Sequence, residues 1–407
     1  MIEFIQNNVE FLIFIALLSL FLYIKRNNLA VIGSFPLLYM LQYKTTWGLR
    51  QMDAWAKKQP RFWKYVAYVS VGLGIVGTIV MIPFMIWQLM FIFDQGLDSG
   101  GGLVLPINTG EEQDLTNPSG LIFYVPFWYW IVAILFIATV HEFGHGVIAE
   151  RFKVKIKSSG FAFAGIIAPI LPAAFVEPDM EDLGKKPHWQ QIAVLGAGPL
   201  ANVFFAAVFL LIIVGVGMYA NTVYEDQGVS FQNVSSISPL NNVTNLDSGI
   251  INTLYVGNET YKGQEIFTYF MTNLTNSTEL ILTLSDTDMN QTSNVSFIPV
   301  YDVEQERAVV GINGVALERV PMSGKEMQAS LIEGSSEWLF WLFLLNFGIG
   351  IMNLLPLWIT DGGQITRVML NKYMSEERAM IGVHLISFIS LILIIVTISP
   401  SLIPFVG

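Results

Sequence analysis

One segment limits the possible folds of this chain more than any other: the apolar run 121–140, which leads directly into the polar pentapeptide HEFGH, residues 141–145. The run contains no charged residue and is long enough to cross the hydrocarbon core of a bilayer as a helix. His141 and His145 are four residues apart, so both imidazoles face the same side of that helix. Titratable groups at membrane depth are costly to keep there, and they mark a functional site.

The composition agrees with a multi-pass membrane protein in contact with the lipid bilayer. Hydrophobic residues make up 53% of the 407 residues and charged residues only 13%, with a mean hydropathy of +0.55. The chain has no cysteine, which excludes a disulfide framework, cysteine-ligated zinc and thiol catalysis. We expect no nucleic-acid partner.

Charge predicts the topology of the spans. Seventeen of the 21 Lys and Arg residues lie in 25–65, 150–187 and 361–380, whereas 94–120 and 221–336 are acidic. By the positive-inside rule, the basic segments are cytoplasmic and both termini and residues 221–336 lie outside. We predict about six transmembrane helices, at residues 9–24, 67–93, 121–149, 190–219, 337–358 and 379–399.

Two apolar segments do not fit as spans. Residues 28–42 are short and contain Gly33 and Pro36, which predicts an interfacial or re-entrant segment. Residues 159–176 are rich in glycine and proline, which argues against a plain helix. Non-helical backbone survives at membrane depth only where it is buried in protein or lines a wet cavity. The second segment is therefore well placed to line the active site and to hold an unwound substrate as an added strand.

Residues 221–336 differ sharply from the rest of the chain. They are rich in Asn, Ser and Thr, contain short β-like runs, and hold seven N-x-S/T triplets. The triplets indicate either a glycosylated outer domain or chance in an Asn-rich segment. The absence of cysteine favours a prokaryotic cell membrane over a eukaryotic lumen.

The HEFGH motif predicts a zinc site with Glu142 as a general base. Catalytic zinc usually takes three protein ligands and leaves one position for water. The candidate third ligand is Asp361, because its segment NLLPLWITDGG reaches the same depth as HEFGH in this topology. Gly362 and Gly363 permit the turn that would aim it inward.

For the other polar residues, a purely structural role is an alternative to a functional one. Asn202, in the segment GPLAN, is either a helix-bridging amide or a donor to the substrate oxyanion, and Asn353 is a weaker candidate for the latter. His384 is a fourth ligand or, more simply, a satisfied histidine of the helix bundle. His188 reads as an interfacial residue.

The motifs HEFGH, GPLAN and NLLPLWITDGG, in this order, resemble the site-2 protease family of intramembrane zinc metalloproteases, over roughly 121–219 and 337–370. The resemblance implies that His141, His145 and Asp361 bind one zinc per chain and that Glu142 and Asn202 are catalytic. Family members carry PDZ-like domains where this chain has its insert, and VVGINGVAL (309–317) is similar to a PDZ strand–turn–strand.

The expected protein is therefore a mainly α, polytopic helical bundle with an extracytoplasmic, β-rich, PDZ-like insert. Its expected activity is cleavage of transmembrane segments of single-span, pre-trimmed substrates, by an active site nearer the cytoplasm. The alternatives are a secondary transporter and a catalytically inactive membrane scaffold or sensor. The expected domains are an accessory region at 1–120, two core halves at 121–220 and 337–407, and the outer domain at 221–336.

Overall fold

The chain divides into two compact units, which are described separately. The computed structural model describes residues 6–33, 39–46, 48–95, 103–105, 122–165, 171–235, 238–242, 248–285, 292–302 and 307–398. Unit 1 comprises residues 1–212 and 337–407, and unit 2 comprises Ile213–Ser336. Unit 2 overlaps the predicted outer domain, 221–336.

Long apolar helices dominate the chain. The helices are α1 (Val9–Lys25), α2 (Leu49–Lys58), α3 (Pro60–Gln95), α4 (Phe127–Arg151), α5 (Met180–Gly184), α6 (His188–Ala220), α7 (Gln264–Thr272), α8 (Glu326–Met352), α9 (Asp361–Asn371) and α10 (Glu376–Ile398).

Among the described residues, five helices are long and apolar enough to cross a membrane: α3, α4, α6, α8 and α10. The chain therefore has the helices of a multi-pass membrane protein, but the predicted count of six is not confirmed. The first predicted span corresponds to α1, which has 17 residues, at the short limit for a span.

The helices of unit 1 pack around α4. Trp130 and Ile137 of α4 are buried in a cluster with Trp341 of α8. On another side, Ile148 of α4 packs in a cluster with Ala67 of α3. Small residues allow the closest approach: a Cβ added to Gly144 would lie 2.6 Å from the carbonyl oxygen of Ala197 in α6. The helix that carries HEFGH is therefore enclosed by its neighbours.

A four-stranded antiparallel sheet lies beside α4. Its strands are β1 (Leu29–Gly33), β2 (Tyr39–Thr45), β5 (Ile156–Gly165) and β6 (Leu171–Pro178), in the order β1-β2-β5-β6. The described residues of 159–176 are thus extended and not helical, as the glycines and prolines predicted, and the described residues of 28–42 belong to β1 and β2 of the same sheet apart from Asn28. A parallel pair, β3 (Leu103–Leu105) and β4 (Ile122–Tyr124), lies earlier in the chain than β5.

Polar side chains hold three strands of this sheet together. Ser158 of β5 donates a hydrogen bond to Glu177 of β6, and Lys44 of β2 lies 3.4 Å from the same carboxylate. The Ser158 hydroxyl and the nearby Lys44 lower the pKa of Glu177. Strand β2 is therefore tied through Glu177 to the strand nearest the helix that carries HEFGH.

Unit 2 is β-rich. A six-stranded sheet has the order β12-β11-β9-β7-β16, with β10 paired to β9. Its core is formed by buried aliphatic residues such as Leu254 and Leu282, with Ile266 of α7 packed against them. The strands of this unit are β7 (Tyr224–Phe231), β8 (Asn233–Val234), β9 (Gly249–Val256), β10 (Glu259–Lys262), β11 (Leu280–Ser285), β12 (Thr292–Phe297), β13 (Val300–Asp302), β14 (Arg307–Val309), β15 (Ile312–Asn313) and β16 (Ala316–Pro321).

Candidate metal centre

Two imidazoles of α4 face each other in the interior of unit 1. His141 and His145 are separated by one helical turn, and their Nε2 atoms lie 3.1 Å apart. Both residues are buried, at 9% and 8% exposure. The spacing in HEFGH therefore produces the predicted pair of facing nitrogen atoms.

The turn before α9 brings Asp361 to the same point. Thr360 caps α9, since its hydroxyl oxygen accepts a hydrogen bond from the backbone N–H of Gly363 at 3.3 Å. The N–H of Gly362 donates to the carbonyl oxygen of Asn353 at 2.8 Å. A Cβ on either glycine would collide with backbone carbonyls of Leu354 or Leu357. The DGG segment therefore folds back on NLLPLW in a way that only glycine permits.

The three side chains fit a zinc ion. Asp361 Oδ2 lies 3.1 Å from His141 Nε2 and 3.4 Å from His145 Nε2. Ligand atoms at the corners of a zinc tetrahedron are about 3.4 Å apart, given metal–ligand bonds of about 2.1 Å. His141, His145 and Asp361 are also the one group in the described part of the chain whose ligand atoms are arranged to hold a metal ion.

The protons of the imidazoles support the same conclusion. His145 Nδ1 lies 2.7 Å from the carbonyl oxygen of Val194, so Nδ1 carries the proton of the neutral ring and Nε2 presents a lone pair. Asp361 Oδ2 is buried and makes no hydrogen bond of acceptable geometry. Lone pairs and a carboxylate oxygen this close repel each other unless a proton or a metal cation lies between them. Two imidazole nitrogens and one carboxylate oxygen are a donor set that zinc takes.

Helix α6 fixes the orientation of both histidines. Asn202 is fully buried, and its side-chain amide lies 3.2 Å from His141 Nδ1. The amide atom at this distance is Nδ2, whose N–H donates only to an unprotonated Nδ1. If Nε2 of His141 binds the metal and Nδ1 carries the proton, the amide has to be turned so that Oδ1 accepts that proton. A Cβ on Gly198 would lie 2.6 Å from His141 Nε2 and closer still to His145 Nε2. The GPLAN segment thus packs directly against the two imidazoles.

Glu142 contacts the sheet. Its Oε2 accepts a hydrogen bond from the backbone N–H of Val176, at 2.7 Å. Val176 belongs to β6, the strand at the end of the sheet order. The carboxylate next to the metal ligands is therefore held against the edge of the sheet.

The other predicted residues lie elsewhere. The Asn353 side chain donates to the carbonyl oxygen of Ile349 in its own helix, at 3.1 Å, so its contribution to the site is the backbone contact with Gly362. His384 is exposed on α10 and lies outside the metal-binding group. It is not the satisfied bundle histidine that the sequence favoured. His188 is an exposed residue at the start of α6. Asn202 contacts His141, and its action on a substrate carbonyl stays a prediction.

Three contributors were missed by sequence reasoning about side chains. They are the carbonyl of Val194, the N–H of Val176 and the bare Cα of Gly198. The first two are backbone groups, which nearly every residue type supplies (proline has no N–H), so no sequence signal could reveal them. Gly198 is a small residue of GPLAN, which predicts close helix packing and not a contact with the imidazoles.

Comparison with known proteins identifies the family of this chain. The model of peptidase family M50 matches residues 129–396. Two proteins of Xylella fastidiosa (strains 9a5c and Temecula1), each named "Putative zinc metalloprotease", are 29% identical over 154 residues, which is 31% of this chain and 34% of each relative. An uncharacterized protein of Methanocaldococcus jannaschii is 27% identical over 175 residues, covering 42% of this chain and 44% of that protein.

The matches thus span less than half the length of these curated relatives, whereas the family model covers most of the chain. The matched region begins within α4 and includes HEFGH, GPLAN and the Asp361 turn. The chain therefore belongs to peptidase family M50, the site-2 protease family of zinc metalloproteases.

Proposed function

We propose that this chain is an intramembrane zinc metalloendopeptidase that cleaves the transmembrane segments of membrane-anchored substrates. One observation carries the proposal: the ligand atoms of His141, His145 and Asp361 are close enough to hold one metal ion. Both histidines and the adjacent Glu142 belong to α4, a helix long and apolar enough to span a membrane. Zinc bound there, one per chain, would lower the pKa of a coordinated water to about 7 and polarise the peptide carbonyl.

Glu142 moves the proton in this proposal. Its carboxylate accepts the proton of the attacking water and returns it to the leaving amine. The N–H of Val176 holds Oε2 in place, which leaves Oε1 for the water. With its amide oxygen turned towards Nδ1, Asn202 would keep His141 in the tautomer that presents Nε2, so we assign it a positioning role beside its predicted donation to the oxyanion.

The free edge of β6 is the proposed place for the unwound substrate. Val176 directs its N–H away from β5 and towards Glu142, so alternate residues of β6 direct theirs to the same edge. Pro172, which has no N–H, occupies one of these positions without loss of a ladder bond. A substrate strand added here would have its backbone next to the catalytic carboxylate.

The distribution of charge supports an active site nearer the cytoplasm, with residues 221–336 outside. The absence of cysteine supports a prokaryotic cell membrane. In this cysteine-free chain, Lys58→Cys provides a unique label for an impermeant thiol reagent. Labelling from the cytoplasmic face is expected, and labelling from outside would reverse the orientation.

Unit 2 is proposed to be a PDZ-like filter that prefers pre-trimmed, single-span substrates. The supporting observations are its β-rich fold with one helix on the sheet core and its lack of any histidine. All the residues proposed for catalysis belong to unit 1.

The direct test is cleavage of a single-span substrate by Glu142→Gln in reconstituted bilayers. Because glutamine is of similar size but cannot accept the proton, we expect zinc to stay bound and cleavage to fall by roughly 100-fold or more. Glu181→Gln, which changes an exposed carboxylate of α5 outside the proposed site, is the control and should remain active. Undiminished cleavage by Glu142→Gln would refute the assignment, and an inactive wild type would favour the scaffold alternative.

A further inference from the structure

A basic and aromatic surface lies on the opposite side of α2 from the catalytic helix. Met52 and Ala56 of α2 are buried, at 4% and 5% exposure, and they pack in a cluster with Val147 of α4. Arg50 and Lys58 of the same helix are exposed. Helix α2 is therefore amphipathic, with its apolar stripe already occupied by protein.

Helix α3 contacts α2 through Trp63, whose Nε1 donates to the carbonyl oxygen of Trp55 at 2.7 Å, and its first turns carry a further exposed stripe. Arg61, Lys64, Tyr65 and Tyr68 recur at helical spacing, so they lie on one face. All four are exposed, and the ammonium of Lys64 lies 5.8 Å from the centre of the Tyr68 ring. We define the basic–aromatic surface as Arg50, Lys58, Arg61, Lys64, Tyr65 and Tyr68.

The positive charges of this surface are not neutralised by the protein. Lys57 is paired with Asp53 at 2.7 Å. In contrast, within the described residues none of Arg50, Lys58, Arg61 and Lys64 forms a salt bridge. Four unpaired cations between exposed tyrosines, at the end of a membrane-crossing helix, fit phosphate groups beside an apolar layer.

We propose that the basic–aromatic surface binds the headgroups of anionic phospholipids. Tyrosine rings favour the level of the headgroups, and lysine and arginine bind the phosphates. The surface belongs to the N-terminal region, before the part of the chain that matches the peptidase family. The proposal does not depend on the proposed function.

The surface is directly connected to the helix with the metal ligands. A Cβ on Gly146 would collide with Met52 Sδ, and the Trp55 ring meets the Phe143 ring edge-on at 5.2 Å. At the end of α4, Arg151 donates to the carbonyl oxygen of Pro60 at 3.0 Å. Bound lipid would therefore hold α2 and the start of α3 against α4, and stabilise the folded protein by mass action.

The experiment measures lipid preference in the full-length protein. The protein is reconstituted in phosphatidylcholine with a trace of spin-labelled phosphatidylglycerol or spin-labelled phosphatidylcholine, and the motionally restricted fraction is compared. The test variant is Lys58→Gln/Arg61→Gln/Lys64→Gln. The control Lys155→Gln/Lys372→Gln/Arg378→Gln removes three exposed cations from elsewhere in unit 1.

We expect the wild type and the control to prefer phosphatidylglycerol over phosphatidylcholine. In the test variant, each removed cation that contacts a headgroup should lower this preference by about fivefold. An unchanged preference in the test variant, or an equal loss in the control, would overturn the proposal. If the triple variant does not fold, Lys58→Gln alone should lower the preference for phosphatidylglycerol. An unchanged preference in this single variant would also overturn the proposal.

A second measurement separates lipid from a free anion. Replacing part of the phosphatidylcholine by phosphatidylglycerol should raise the Tm of the wild type and the control more than that of the test variant. Soluble glycerol phosphate should not reproduce the rise in phosphatidylcholine bilayers. If it does, the ligand is a free phosphate and the commitment to lipid is wrong.

Discussion

At the scale of single residues, Gly198 controls the space in which the two histidines meet. A methyl group at this position would enter the van der Waals radii of both Nε2 atoms. Gly217 is in the same helix, and a Cβ there would meet no atom within 4 Å. The two glycines therefore separate the effect on the metal centre from the effect on the helix.

We predict that Gly198→Ala weakens zinc binding by about tenfold or more while the helical content is kept. Gly217→Ala should leave zinc binding unchanged, because alanine is a good helix former and the position is open. Zinc titration with far-UV circular dichroism on both variants checks this. Equal zinc affinity in Gly198→Ala and the wild type would show that the close approach of α6 to the two imidazoles does not limit zinc binding.

The residue scale also shows what the sequence can reveal. His141, Glu142 and His145 follow from helical spacing in an apolar run, and Asp361 follows from its depth in the topology. The partner of Asn202 could not be predicted, because the choice between His141 and a substrate carbonyl depends on how closely α6 approaches α4. That distance is set by small residues such as Gly144 and Ala197.

At the scale of elements, strand β6 connects the Glu142 carboxylate to the proposed substrate position. Glycines and prolines predicted that 159–176 is not a helix, and its described residues belong to β5 and β6. The contribution of β1 and β2 to the same sheet was not foreseen. Pairing between strands more than 100 residues apart, such as Lys44 of β2 with Gly160 of β5, leaves no local pattern in the sequence.

We predict that Val176→Pro lowers kcat by roughly tenfold or more, since it removes the N–H that fixes Glu142 and a hydrogen bond to a charged group contributes about 1.5–3 kcal/mol. Ala174→Pro removes a donor from the same free edge without touching Glu142, so it should mainly raise KM for the substrate. Steady-state kinetics of the two variants distinguish the roles. If neither variant changes kcat or KM, the edge of β6 serves neither the carboxylate nor the substrate.

At the scale of the whole molecule, the predicted division into domains stays a prediction, and the compact units give it a structural counterpart. The change from apolar spans to an Asn-rich segment predicted a boundary near residue 221, and the compact unit begins at Ile213. The strand order of unit 2 was beyond sequence reasoning, because its short β-like runs do not specify their partners. The PDZ-like assignment therefore remains part of the proposal.

We predict that deletion of 225–332 preserves zinc binding and permits cleavage of untrimmed substrates. The ends of the deleted segment are close, since the Tyr224 hydroxyl lies 2.8 Å from the Glu333 carboxylate, so a short flexible bridge suffices. Trimmed and untrimmed single-span substrates are compared with intact and deleted enzyme. Loss of both cleavages with zinc retained would mean that unit 2 binds substrate and does not act as a filter.

The central claim is that His141, His145 and Asp361 hold a zinc ion, and the zinc content of purified variants tests it most directly. We predict about one zinc per chain in the wild type and in Glu142→Gln, and strong loss in His141→Ala and Asp361→Ala, because each removes one of three protein ligands. Full zinc occupancy in Asp361→Ala would contradict the claim.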